Sequence, residues 1–401
     1  MIPQILEVKV RNYKSIAQVA VPLGLFTAFV GTNGSGKSNF IDSLAFVQEC
    51  LSESIELAFK NRGGIDAVRR RSGGHPTPIG IRIILQLADG IQADYAFEIA
   101  AKPAGRFSVA RERCKVQPIL KPESVFEIKG GHFEKEIQGI RPKVSSDRLA
   151  LYAASATDEF RPVYDFLTSM RFYSVVPVRL RELQDPDPGT FLKRDGSNAA
   201  AVLKQLIQDN PDDYDRLCRL MSKVVVGLKK VEYRPVRQKE TLQFRQDVGL
   251  KHPWTFEALN MSDGTLRVLG LLLAVYQPGH PPVVAIEEPE ATVHPAVSEV
   301  VVQVLLDSAS DRQVLLTTHS PDVLDYKGLT DSQLRVVTME QSRTLVCPLS
   351  QGSRDAIKNR LYTPGELLRS GELDADVGAC KGQEEYPDLF NATPIHTETR
   401  L

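Results

Sequence analysis

The chain has 401 residues but only five cysteines, Cys50, Cys114, Cys218, Cys347 and Cys380, far apart and with no CxxC pair. That scatter argues against both a zinc ribbon and a disulfide framework, and it fits a reducing, cytoplasmic setting. Long apolar runs are missing too. The most apolar stretch, Val268 to Tyr276, stops at Pro278 after roughly half of the ~20 residues that cross a bilayer. The start, MIPQILEVKVRNYKSI, alternates and carries charge, so neither an export signal nor a membrane partner is expected. No charge sign dominates, since 49 Lys plus Arg face 50 Asp plus Glu, and any contact with nucleic acid must come from a local patch. Internal repeats and sustained heptads are also absent, which excludes a long coiled coil.

What is present is the composition of a folded protein, 42% hydrophobic and 25% charged, on a chain long enough for two or three domain-sized units. Ile5 to Val10 alternates like an edge strand, and Leu25 to Val30 is the apolar run of a buried one. A glycine loop follows, and then apolar positions at helical spacing from Ser38 to about Phe59 predict one long helix. Ile79 to Ala101 reads as a hairpin turning at Asp89-Gly90, with further strands at Phe107 to Val116 and Ser124 to Ile137. After QDPDPG, helices are expected at Ala199 to Gln208 and Asp213 to Val226, forming a small helical lobe. Strands then follow at Lys230 to Val236 and Thr241 to Arg245. The pattern continues with a helix from Gly264 to Tyr276, a strand Val283 to Glu287, a helix after Pro295 and a strand Gln313 to Thr317. This alternation belongs to an α/β core with an antiparallel β region. The final ~35 residues, rich in Gly, Glu, Asp and Pro, are expected to be poorly ordered.

Three strand ends carry chemistry. Gly31-Thr32-Asn33-Gly34-Ser35-Gly36-Lys37-Ser38 has the phosphate-loop spacing. Its glycines let backbone N–H groups turn toward an anion, Lys37 neutralises β and γ phosphates, and the Ser38 hydroxyl is a magnesium ligand. VVAIEEPE, Val283 to Glu290, ends an apolar strand in acids. Glu287 is assigned to the metal through water and Glu288 to the catalytic base. QVLLTTHS ends at His319, placed at the sheet edge to sense the γ-phosphate. Ser262, Asp263 and Gly264 stand before a helix, where spacing alone reads as an N-cap.

Taken in order, these four elements resemble the ATP-binding-cassette superfamily, and within it the SMC and RecF type of ATPase head. GTNGSGKS is similar to its Walker A motif, NMSDGTLR to its signature, VVAIEEPE to its Walker B, and EATVHP to its D-loop, with His319 on the switch histidine. The likeness spans residues 1 to about 350. It implies a P-loop NTPase fold of mixed β core, antiparallel β subdomain and small helical lobe. The implied division is an ATP-binding lobe (1–194), a helical signature lobe (195–262), the returning core (263–350) and a tail (351–401). It also implies ATP and Mg²⁺ as cofactors, with Asn12, Lys14, Gly31, Asn33, Gly34, Ser35, Gly36, Lys37, Ser38 and Asn39 around the nucleotide. Glu288 and His319 would be catalytic. Ser262, Asp263 and Gly264 would act in trans within an ATP-bridged homodimer. The chain departs from the pattern in reading SDGT where transporters read SGGQ, in lacking a recognisable Q-loop glutamine, and in having no arm. Its first Walker B acid is also Glu where most such sites carry Asp.

Three roles fit these motifs: a DNA-associated ATPase for repair, recombination or defence, an ATP-gated switch on a protein effector, and, against the SDGT reading, a transporter subunit. The first draws on Arg69, Arg70 and Arg71 as a local phosphate-binding patch. A built-in nuclease is not expected, because Glu340, Asp374 and Asp376 are the only acidic pattern after His319.

Overall fold

The computed structural model describes residues 1–71, 77–135, 147–249, 252–384 and 389–390. Its strands, in chain order, are β1 (Gln4–Tyr13), β2 (Ile16–Pro22), β3 (Phe26–Val30), β4 (Ile79–Gln86), β5 (Gln92–Ala101), β6 (Phe107–Gln117), β7 (Ser124–Lys129) and β8 (His132–Lys135). They continue as β9 (Arg171–Tyr173), β10 (Leu228–Val236), β11 (Lys239–Gln246), β12 (Trp254–Glu257), β13 (Val283–Glu287), β14 (Gln313–Thr318), β15 (Leu334–Glu340) and β16 (Arg343–Cys347). They form a seven-stranded sheet β2-β1-β4-β5-β6-β7-β8, a three-stranded sheet β10-β11-β12 and a six-stranded sheet β16-β15-β3-β14-β13-β9.

The six-stranded sheet is parallel except for its β15–β16 hairpin, and both of its faces are covered. On β13, Val283 and Ala285 join one core while Val284 and Ile286 join the other. This two-sided burial explains why β3, β13 and β14 read as unbroken apolar runs. Each such buried Val, Leu, Ile or Phe contributes about 1.5–3 kcal/mol. The first core lies beneath the seven-stranded antiparallel sheet and encloses the helix Lys37–Ser52. The second holds the helices Ala199–Asp209, Pro211–Val224, Asp263–Tyr276 and Pro295–Ser308. The helical lobe packs on β10 and β11.

Several expectations need correcting. The strand at Ile5–Val10 is not an edge: β1 lies between β2 and β4, because the chain reverses through Asn12 and Lys14, both at positive φ. The single long helix ends at Ser52. Ser54 turns out of it and accepts a hydrogen bond from the Leu57 amide, starting a new helix, Ile55–Lys60, since a serine at that place caps better than it continues. The strand expected over Ser124 to Ile137 is a hairpin through Gly130 and Gly131, both at positive φ, and Ile137 lies outside the described residues.

The C-terminal segment is more regular than its composition suggests. Helices Gln351–Lys358, Pro364–Ser370 and Val377–Glu384 are present. Thr363 and Glu366 form a capping box, and Arg369 pairs with Asp322 and Asp325 at 2.8 Å each. Cys347 and Cys380 are disulfide-bonded, against the expectation of separate thiols. They are 33 residues apart in sequence, so only the packing of the last helix on β16 brings them together. Residues 385–388 and 391–401 of the expected loose tail lie outside the described residues. No helix among the described residues is long and apolar enough to cross a membrane.

Candidate active site

Strand order builds the site. β3, β14 and β13 are parallel neighbours, with Thr318 opposite Val30 and Thr317 opposite Glu287. Their C-terminal ends therefore deliver the phosphate loop, His319 and the acidic pair to one edge of the sheet, the side where open α/β folds bind ligands.

In the loop, glycine is required at two points. A Cβ on Gly31 would sit 2.1 Å from the Val337 carbonyl oxygen, and one on Gly36, whose φ is 105°, would sit 2.1 Å from the Thr344 hydroxyl. Thr344 donates from its hydroxyl to the Ser35 carbonyl at 2.9 Å and contacts Ser15 Oγ at 2.7 Å, so β16 braces the loop from behind. Asn39 donates to the same Ser15 oxygen at 2.7 Å. Lys37 is buried, and its Nζ donates to the carbonyls of Gly31 at 2.7 Å and Thr32 at 3.0 Å. Burial pushes its pKa down, with the charges of Glu288 and Glu290 working the other way. Thr32, Asn33, Gly34 and Ser38 are exposed, whereas the buried Ser35 hydroxyl has no partner. A glycine-lined loop at a helix N-terminus, a buried cation and an unpaired hydroxyl fit a polyphosphate. Ser38 and Glu287 offer the oxygen donors of a magnesium ion.

At the acidic turn, Glu288 sits at φ 44° and its amide donates to the Thr317 carbonyl at 2.9 Å. A non-glycine residue in this region costs about 1–3 kcal/mol and points to a constrained position. His319 Nδ1 lies 3.3 Å from Glu288 Oε1 and 3.7 Å from Glu290 Oε1. Glu290 accepts from the Thr318 hydroxyl at 2.7 Å and the His319 amide at 3.2 Å, while its second oxygen is buried without a partner.

Several residues here were not picked out from the sequence. Arg194 donates to Glu287 Oε1 at 2.8 Å and approaches Asp42 at 3.8 Å, placing a cation on the acid assigned to metal. It lies in KRDGSN after the QDPDPG break, with no motif to mark it. Arg267, on the helix Asp263–Tyr276, donates to the carbonyls of Val175, Glu287 and Glu288 at 2.9, 3.3 and 2.8 Å, tying that helix to the acidic turn. Burial pushes its pKa below the ordinary value, against the charges of Glu290 and Glu288.

Asn12 and Lys14 are engaged within the chain. Asn12 donates to the Pro78 carbonyl at 3.0 Å, and Lys14 pairs with Asp42 at 2.6 Å. Asp42 also receives Arg62 and the Tyr13 hydroxyl. Burial raises its pKa, but the bonds and charges of Arg62 and Lys14 outweigh that and hold it low. The signature segment finds its partners within the same chain. Ser262 caps the helix, accepting from the Thr265 amide at 3.2 Å, and Asp263 pairs with Arg181 at 2.6 Å. A Cβ on Gly264 would meet the Thr292 carbonyl at 2.7 Å.

Comparison with known proteins agrees with this architecture. Residues 26–325 match the family described as AAA domain, putative AbiEii toxin, Type IV TA system. Over 120 residues the chain is 29% identical to structural maintenance of chromosomes protein 1 of Schizosaccharomyces pombe, covering 27% of this chain and 10% of that protein. The chain thus spans about a tenth of that relative's length. Among solved structures, an SmcHead bound to the C-winged helix domain of ScpA superposes with a TM-score of 0.55 at 15% identity, over 88% of this chain and 99% of the other. An Smc head domain with an extended coiled coil, bound to the C-terminal domain of ScpA derived from Pyrococcus furiosus, gives 0.51 at 13%, over 90% and 99%. At such identities these two show the fold. The chain belongs to the AAA-domain family that its residues 26–325 match, and its fold is that of the SMC head structures.

Proposed function

We propose that the chain hydrolyses ATP in a site completed by a second copy, and that it does so in DNA-associated processes such as repair, recombination or defence against foreign DNA. The observation that carries the enzymatic reading is the meeting of His319 and Glu288 at 3.3 Å on strand ends flanking the phosphate loop. Lys37, Ser38 and the amides of Gly34 to Ser38 would hold the phosphates, with Ser38 and Glu287 toward Mg²⁺. Bound Mg²⁺ and ATP supply the polarised γ-phosphoryl group. Glu288 accepts the proton of the attacking water at its carboxylate, and His319 orients that carboxylate.

Ser262 and Asp263 are engaged by Thr265 and Arg181, and with Gly264 they are proposed to reach the nucleotide held by Lys37 of a second copy. The proposed division remains an ATP-binding lobe at 1–194, a signature lobe at 195–262, the returning core at 263–350 and the tail at 351–401.

The DNA reading is supported by a cavity of about 400 Å³ lined by Lys14, Arg69, Arg70, Arg71, Asp66, Ala67 and Ser342, a local basic surface on a chain of near-zero net charge. A second reading, an ATP-gated hold on a protein effector, is favoured by the two solved relatives described as bound to ScpA. The two part on salt. DNA binding that weakens steeply with salt and is lost in Arg70→Glu/Arg71→Glu supports the first.

The composite site is tested by mixing Lys37→Ala with Ser262→Arg protomers. A mixed dimer then has one site damaged twice and one with both elements intact, so activity should return that neither variant has alone. No recovery, together with no ATP-dependent change of mass in Glu288→Gln by light scattering, would overturn the sandwich.

A further inference from the structure

Alternation along β4, β5 and β6 sends Ile81, Tyr95, Phe97 and Cys114 into the core and leaves Gly80, Arg82, Asp94, Ala96, Arg111 and Arg113 on the opposite face. A charged sheet face of this kind is ordinarily wet. Here Arg82 and Arg113 are 2% and 4% exposed, because Leu389 and Phe390, themselves 0% and 2% exposed, lie on them. Asp94 takes three charge-assisted bonds, two from Arg82 at 2.8 and 2.9 Å and one from Arg113 at 3.1 Å.

Two guanidinium groups thus share one carboxylate in a buried place, where uncompensated cationic N–H groups are costly. Two further acceptors are main-chain carbonyls: Arg82 Nη1 donates to Leu389 at 3.3 Å, and Arg113 Nη1 donates to Phe390. Arg111 stacks on the Phe390 ring at 4.0 Å and Arg113 at 5.4 Å, a favourable cation–π arrangement. Leu389 fills the hollow left by the missing side chain of Gly80, whose Cβ would stand 2.9 Å from Leu389 Cδ2. Ala96 is buried in the same cluster.

We propose that this face is a peptide-recognition site for a Leu-Phe dipeptide, which reads two main-chain carbonyls and two side chains and is filled by the chain's own Leu389–Phe390. Carbonyl recognition with a pocket for each side chain is the chemistry of peptide capture. The partner it fits is another polypeptide segment bearing Leu-Phe, which enters by displacing the tail. A tethered occupant competes at an effective concentration of order mM, so the intact chain masks the site.

The experiment uses the full-length Leu389→Ala/Phe390→Ala chain and a fluorescent peptide of residues 386–393, YPDLFNAT, followed by anisotropy. The peptide should bind this variant saturably and at least tenfold more tightly than the intact chain. Filling the hollow by Gly80→Leu in the same background should abolish binding. The peptide with both anchors changed to Ala is the control that leaves the socket untouched. Equal affinity for the intact and variant chains, binding that survives Gly80→Leu, or equal binding of the two peptides overturns the proposal.

Discussion

His319 Nδ1 stands 3.3 Å from Glu288 Oε1 although 31 positions separate them in the chain, because β13 and β14 are parallel neighbours that end together. Under the proposed roles, Glu288→Gln should bind nucleotide normally and lose at least ~10² in turnover, the usual worth of a positioned base. Lys37→Ala should lose nucleotide binding itself. Nucleotide titration beside single-turnover kinetics separates the two, and normal turnover in Glu288→Gln removes the assignment.

Under the proposed metal role of Glu287, Arg194 would compete with the ion for that carboxylate. The Arg194 pair, at 2.8 Å with the arginine side chain 45% exposed, is worth no more than about 1 kcal/mol. Arg194→Ala should therefore lower the Mg²⁺ concentration needed for half-maximal nucleotide binding by up to about fivefold. An unchanged or higher requirement would show that Arg194 supports the site instead of occupying it.

Glu112 makes stability depend on pH. It is fully buried, and its pKa is raised to about 7, chiefly by burial and against the amides of Ala150 and Leu151 and the Tyr95 hydroxyl. A carboxyl whose folded pKa lies above its unfolded value near 4.5 favours the folded state while protonated. Its contribution is complete below about pH 4.5 and is lost as pH rises through 7, to a total of about 3 kcal/mol. Urea midpoints across that window should show this fall in the native chain, and Glu112→Gln should flatten it.

The Cys347–Cys380 bond holds the helix Val377–Glu384 on β16, the strand whose Thr344 braces the phosphate loop. Reduction, or Cys380→Ser, should cost ~2–4 kcal/mol of stability, read as a lower melting temperature in reductant. Unchanged melting would mean that packing alone secures the last helix.

Much of this was legible in sequence because it depends on local pattern. Apolar runs fixed β3, β13 and β14, glycine spacing fixed the loop before Lys37, and the acids and His319 followed the strand ends they were read from. Most of what sequence reading missed is non-local, the cap at Ser54 being a local exception. That β1 is internal depends on two partner strands, the helix break at Ser54 on one cap competing with a longer apolar pattern, and the Cys347 bond on a helix 33 residues away. Arg194 carries no motif and Arg267 only ends the signature segment, with nothing there to mark its contacts, since a guanidinium reaches its acid or carbonyl through the fold and not through spacing. The sequence alone determined which groups could do the chemistry. Only the parallel order β3-β14-β13 decided that they meet, because hydrogen-bonded strands align their ends whatever the chain length between them.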